Sequence, residues 1–408
     1  MPSLNRKTPL TEVSVLAENA TEKLIRPVMP ELDSLRGVAI LLVLFFHGFN
    51  YPGVMSRFSG IERLFVTAAF TGWTGVYLFF VLSGFLITGI LLDSKPKPQY
   101  YRRFYIRRAL RILPAFYLLL FLLVVLTRVG WLEGRRIGWP FVTLSFFYLA
   151  NVTDLFGVPA QYAALWSLAV EEHFYLLWPT VIRSLSRRTA AWCAVAIFFT
   201  CPILRAVAYW RGYNFGTGYT WLVADGLAIG ALMGILSRGQ LAERKPMLRF
   251  SLICLGAAVA LFTVGTPLGI WRGSTFVGGV FRLTAVELFC AGLLGATLLV
   301  GTGRYKWIVR VGVLRWFGEI SYGLYLVHMM AFDFVNHWIA RYDPALLAQI
   351  PERFGLMFLH FLVAAAVAVG AAFVSRKTFE EWFLKLKDRW TRPVSNPAPQ
   401  PVAALRSV

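Results

Sequence analysis

The chain has 408 residues, 57% of them hydrophobic and 15% charged, with a mean hydropathy of +0.61. That balance is too apolar for a soluble globular domain or a disordered chain, and it marks an integral membrane protein. The formal net charge of +20 does not point to nucleic acid, because the lysines and arginines fall in short runs between apolar segments, where they act as topology signals.

Residues 1–30 are polar and lack the apolar h-region of a signal peptide, so they are expected to form a cytosolic N-terminal tail. Eleven apolar windows follow, near 35–54, 73–92, 112–130, 139–152, 166–184, 190–208, 219–237, 248–266, 281–301, 319–339 and 354–376. Crossing a hydrocarbon core takes roughly 20 apolar residues. The window at 139–152 is short for this, and we expect it to be re-entrant or interfacial. Leaving it out of the count puts the basic clusters at 102–111, 183–188, 238–249, 304–310 and 376–389 on one face, which the positive-inside rule makes cytosolic. Only the loop "GWLEGRRIG" breaks this pattern, by carrying Arg135 and Arg136 outside.

Later in the chain, Gly226, Gly230 and Gly234 have small-xxx-small spacing, which predicts close helix packing. The four cysteines all lie in apolar windows with no CxxC or ligand spacing, so neither a disulfide framework nor a metal site is expected. Residues 377–408 form a basic, Pro-rich tail, cytosolic like the N-terminus, and "RPVSNPAPQPVAALRSV" within it is expected to be disordered. The predicted fold class is an all-α polytopic membrane protein. We expect a bundle of about ten transmembrane helices over residues 31–376, with one short re-entrant or interfacial segment.

Ionisable groups inside spanning helices are costly and tend to mark functional sites. In "RGVAILLVLFFH", Arg36 sits at the cytosolic entry of the first helix and His47 lies about 16 Å further in, past the midplane. The alternative is a helix-end anchor and a satisfied polar side chain. In "WSLAVEEHFYLLWP", Glu171 and Glu172 lie about 8 to 9 Å from the outer end, at a depth comparable with His47. A carboxylate there orients a histidine and supports its protonated form, although an outer-leaflet glutamate also reaches water. In "YYRRFYIRRALRILP", Arg108 and Arg111 share a helical face and offer the planar paired donors that grip a phosphate. A lipid-headgroup or topology role is the alternative. Ser83 in the second helix, and Ser321, Tyr322, Tyr325 and His328 in the ninth, suit a polar lining or a helix-to-helix seam. Asp225 sits in the outer third of its helix, where a hydroxylated acceptor would meet it.

In this order, "LDSLRGVAILLVLFFH", "GVYLFFVLSGFLIT", "RRALRILP", "LWSLAVEEHFYLLWP" and "SYGLYLVH" resemble the acyltransferase-3 family of bacterial membrane O-acyltransferases, over about residues 31–376. That family modifies lipopolysaccharide, exopolysaccharides, periplasmic glucans, Nod factors and macrolides. The resemblance implies a protein of the bacterial cytoplasmic membrane that moves an acyl group, most often acetyl, from cytosolic acyl-CoA to a hydroxyl of an extracytoplasmic or lipid-linked glycan. Acyl-CoA is then a substrate, and no cofactor stays bound. Arg36 and His47 occupy the family's essential pair, with His47 as catalytic base and Arg36 also facing the donor. Arg108 and Arg111 match the motif associated with acyl-CoA, and Glu171 matches the family pattern better than Glu172. An arginine often stands two residues before the aspartate matching Asp225; here that residue is Val223. The standalone form is expected, without an appended hydrolase-like domain.

Both direct transfer and an acyl-enzyme on Ser83 or Ser321 stay open. The main rival reading is a transporter or flippase of a lipid-linked glycan, whose marks would be internal repeats and broken helices. Neither is visible in the sequence. A sensor using Arg108 and Arg111 to hold anionic lipid is a third.

Overall fold

The computed structural model describes residues 23–132, 137–212 and 218–390. Arg135 and Arg136, the first 22 residues and the Pro-rich end from 391 onward lie outside the described residues, and so do the expectations made for them.

Among the described residues every regular element is helical. The first long helix, α1 (Pro30–Phe49), starts on a proline, whose missing N–H is no loss in a first turn. It is followed by α2 (Thr74–Ser94), α3 (Tyr100–Arg128), the short α4 (Trp139–Phe146), α5 (Leu165–Ser184) and α6 (Arg187–Trp210). Then come α7 (Asp225–Leu236), α8 (Arg244–Gly265), α9 (Phe276–Gly301), α10 (Gly312–Tyr342) and α11 (Phe354–Ser375). Ser186 caps α6 by accepting from the Thr189 N–H, and Thr275 caps α9 by accepting from the Gly278 N–H.

Each of the ten predicted spans contains a helix. Seven helical stretches are long and apolar enough to cross a membrane: 30–49, 60–94, 100–128, 187–210, 244–265, 276–301 and 354–386. The other three, α5, α7 and α10, differ for identifiable reasons. Helix α5 carries Glu171 and Glu172, and α10 carries Arg315, Glu319, Asp333 and Arg341. Helix α7 has 12 residues and is preceded by the single turn Thr220–Val223. The segment expected not to span is the eight-residue α4, with Trp139, Phe146 and Phe147 exposed around it. Outward faces of α6 and α8 present Trp192, Phe199, Ile203, Leu252, Ile253 and Val259, as lipid contact requires. The protein is an all-α polytopic membrane protein.

Small residues bring the helices close enough to enclose a polar interior. Gly230 of α7 packs so tightly on α2 that a Cβ there would lie 2.1 Å from the Val81 carbonyl oxygen, as the glycine spacing predicts. At their other ends the two helices are joined by Arg238, whose Nε and Nη2 each donate to Asp93 at 2.6 Å. Helices α1 and α10 also cross closely. Glu31, completely buried at the start of α1, pairs with Arg26 and with Arg310 Nε at 3.3 Å, tying the segment before α1 to the loop before α10. Residues 376–380 continue α11 into a further helix, α12 (Glu381–Trp390), which packs on α3.

Candidate active site

Helices α1, α2, α3, α5 and α10 surround a cavity of about 340 Å³. From the α1 N-terminal end it is lined by Arg36 of α1 and by Arg108 and Arg111 of α3. Spacing of three residues on α3 places both of its arginines on the cavity side. None of the contacts recorded for these guanidinium groups is a tight ion pair. Arg36 is 3.9 Å from Asp33, and Arg108 Nε is 4.0 Å from Glu172. Arg108 is steadied instead by stacking, with its guanidinium carbon 3.2 Å from the centre of the Tyr175 ring. The Arg111 side chain is accessible within the cavity. Loosely paired guanidinium groups in a partly closed space form a site for a polyanion.

Deeper in, Glu171 and Glu172 both line the wall, and Ser83 Oγ donates to Glu171 at 2.8 Å. Ser321 and Tyr322 line it too, but their hydroxyls are turned to backbone carbonyls, those of Gly318 at 2.8 Å and Ile112 at 2.9 Å. At the far end, Tyr325 OH and Ser167 Oγ are 2.5 Å apart. This hydrogen bond joins α10 to α5 across the end of the cavity.

His47 is not part of the cavity wall. It lies one layer beyond, joined to the wall through α10. Its Nδ1 is 3.3 Å from Nε2 of His328, and the Nδ1 of His328 is 2.7 Å from the backbone oxygen of Tyr325. The two imidazole ring centres are 4.8 Å apart. Of the residues singled out in the sequence, Arg36, Ser83, Arg108, Arg111, Glu171, Glu172, Ser321, Tyr322 and Tyr325 share the cavity, and His47 with His328 forms a pair just outside it.

Asp225 is elsewhere. It is completely buried at the start of α7 and receives Arg205 of α6 in a two-pronged pair at 3.1 and 2.7 Å, with Thr284 Oγ1 donating at 3.0 Å. Arg205 also donates to the Val280 and Leu222 carbonyl oxygens at 2.9 and 2.6 Å. The arginine absent at position 223 is thus supplied in space by another helix, and Asp225 sits in an ionic knot joining α6, α7 and α9. Sequence reasoning missed Arg205, since nothing in its local pattern links it to a residue 20 positions away. It also missed the contact of His47 with His328, 281 positions apart. No group of three His, Cys, Asp or Glu residues is placed to hold a metal ion among the described residues.

Arginines, carboxylates and a histidine pair enclosed by helices define a polytopic membrane protein with a polar interior, where such groups are costly and tend to mark a functional site. The particular family follows from comparison: residues 29–376 match the acyltransferase-3 family, described as an acyltransferase domain, and the chain belongs to it. Among curated relatives, YrhL of Bacillus subtilis is 30% identical over 334 residues, 74% of this chain and 48% of its own. The peptidoglycan O-acetyltransferase OatA of Listeria monocytogenes is 30% identical over 335 residues, 76% of this chain and 50% of its own. The O-acetyltransferase OatA of Staphylococcus aureus is 24% identical over 375 residues, 82% of this chain and 57% of its own. The chain spans about half the length of the curated relatives it matches. No solved structure matches it.

Proposed function

We propose that this chain is a membrane O-acyltransferase that moves an acyl group, acetyl in the simplest case, from acyl-CoA to a glycan hydroxyl. Relatives named as peptidoglycan O-acetyltransferases favour a peptidoglycan-type saccharide as the acceptor. One observation carries the reading: a single cavity holds Arg36, Arg108 and Arg111 together with the Glu171 carboxylate bonded to Ser83, and is lined by a tyrosine that touches a histidine pair.

In this scheme the arginines bind the phosphates of the donor at the cytosolic side, and the narrow interior takes the pantetheine arm and thioester. His47 removes the proton of the acceptor hydroxyl, whose oxygen attacks the thioester carbonyl. The new carbon–oxygen bond forms, the carbon–sulfur bond breaks, and the proton passes to the departing sulfur. Glu171, held by Ser83, supplies negative charge to the developing positive site. Because Tyr325 and Ser167 close the far end, their hydrogen bond opens when the thioester meets the acceptor.

The test is transfer of radiolabelled acetyl from acetyl-CoA to peptidoglycan fragments and lipid-linked disaccharides by the purified protein in lipid nanodiscs. Labelled saccharide is expected, and His47→Ala lowers the rate by roughly 10² to 10⁴ if the imidazole is the base. A folded His47→Ala protein working at the wild-type rate overturns the base. Donor binding with no label on either saccharide class overturns the acceptor.

A further inference from the structure

The two histidines lie in a geometry that assigns their protons. His328 is completely buried on α10, and its Nδ1 is 2.7 Å from the Tyr325 carbonyl oxygen. A carbonyl oxygen only accepts, so Nδ1 carries the hydrogen; in the neutral ring Nε2 is then an acceptor. The nitrogen facing it is His47 Nδ1, at 3.3 Å, and this same nitrogen is 3.0 Å from the Val43 carbonyl oxygen one turn back on α1. Facing an acceptor at each of these two contacts, His47 Nδ1 is the donor and shares one hydrogen between them. A neutral His47 therefore has its unprotonated nitrogen at Nε2.

We infer that His328 is a positioning residue, whose buried Nε2 accepts from His47 Nδ1–H and so presents the basic Nε2 of His47 to the acceptor hydroxyl. The inference rests on the reading of His47 as base. When His47 Nε2 takes the hydroxyl proton, the ring carries hydrogens on both nitrogens and a positive charge. His328 Nε2 continues to accept from Nδ1–H and stabilises that charge without taking a proton itself. The proton then leaves from His47 Nε2 to the thiolate, which returns the pair to its starting tautomers. The backbone bond of His328 serves as the anchor: it fixes the ring's orientation, and hence which nitrogen faces α1.

Two substitutions separate this role from a merely structural one. The amide oxygen of glutamine reaches the position of Nε2, so His328→Gln keeps an acceptor for His47. The amide of asparagine reaches only the position of Nδ1, so His328→Asn keeps the bond to the Tyr325 carbonyl and loses the acceptor. In acetyl transfer with radiolabelled acetyl-CoA, His328→Gln is expected to retain kcat within about tenfold of wild type. His328→Asn is expected to lose roughly 10² or more in kcat, at the lower end of general-base effects, with KM for acetyl-CoA unchanged. The reverse order, or equal kcat for both variants and wild type, overturns the inference. His47→Ala run in parallel distinguishes the two failures: an inactive His47→Ala beside a fully active His328→Asn removes only the role of His328, whereas an active His47→Ala removes the base itself. A measurement on the unsubstituted protein covers variants that do not fold. Nitrogen chemical shifts of ¹⁵N-labelled histidine should give the Nδ1–H tautomer for His47, and an Nε2–H tautomer overturns the inference.

Discussion

At the scale of single residues, the cavity separates arginines that are alike in sequence. Arg108 is braced on Tyr175 and near Glu172, whereas Arg111 is accessible within the same space. On the proposed role of the arginines, removing Arg111 takes away one contact to the donor without disturbing a stack, and Arg111→Ala should weaken acetyl-CoA binding by about 1.5 to 3 kcal/mol, the range for a charged hydrogen bond. Arg111→Lys should fall between the two, because a single ammonium replaces planar paired donors. Equilibrium binding in nanodiscs measures both, and an alanine variant with wild-type affinity would detach Arg111 from the donor. The i, i+3 spacing that put Arg108 and Arg111 on one face was legible in the sequence because it follows from helix geometry alone. The pairing of Asp225 with Arg205 was not, since an ion pair between helices depends on how those helices are laid side by side.

At the scale of elements, helix contacts rather than helix propensity hold the site. Gly230→Ala puts a Cβ 2.1 Å from the Val81 carbonyl oxygen, so α7 and α2 must separate, at a cost of about 1 to 3 kcal/mol for an overpacked contact. Gly256→Ala on α8 is the matched control: nothing lies within 4 Å of the new methyl, and the change favours the helix by up to about 1 kcal/mol. Thermal unfolding in detergent should therefore lower Tm for Gly230→Ala and leave it level or higher for Gly256→Ala. Equal shifts would mean that the α2 and α7 contact is not tight. Elements were the most legible scale. Apolar length marks a helix wherever it occurs, and the window at 139–152 stood out because its fourteen residues reach only about 21 Å at the usual rise. Charge on α5 and α10 blurs that signal, which is why the helices richest in site residues are the least apolar.

At the scale of the whole molecule, the surplus of basic residues and the cavity of three arginines form one field. A donor with several phosphates feels that field, and an uncharged glycan hydroxyl does not. Raising salt shortens the Debye length from about 10 Å at 0.1 M to about 3 Å at 1 M. KM for acetyl-CoA should therefore rise several-fold across that range while KM for a neutral saccharide stays level. A salt-independent donor KM would place its binding outside the arginine cavity. The motifs that carry the family run through most of the chain, yet they meet in one place only because α1 and α10 cross closely and α2, α3 and α5 pack around them.

By itself the sequence determined that this chain lives in a membrane, where its helices lie, and which polar side chains are expensive enough there to require a purpose. All of these follow from local composition and from the fixed period of the helix. Only the tertiary structure decided that Asp225 belongs to an ionic knot, that Tyr325 and Ser167 bond to each other in the wall of the arginine cavity, and that His47 faces His328. The reason is physical: a hydrogen bond between helices is set by crossing angle, depth and rotation, and no stretch of sequence on one helix encodes the position of another.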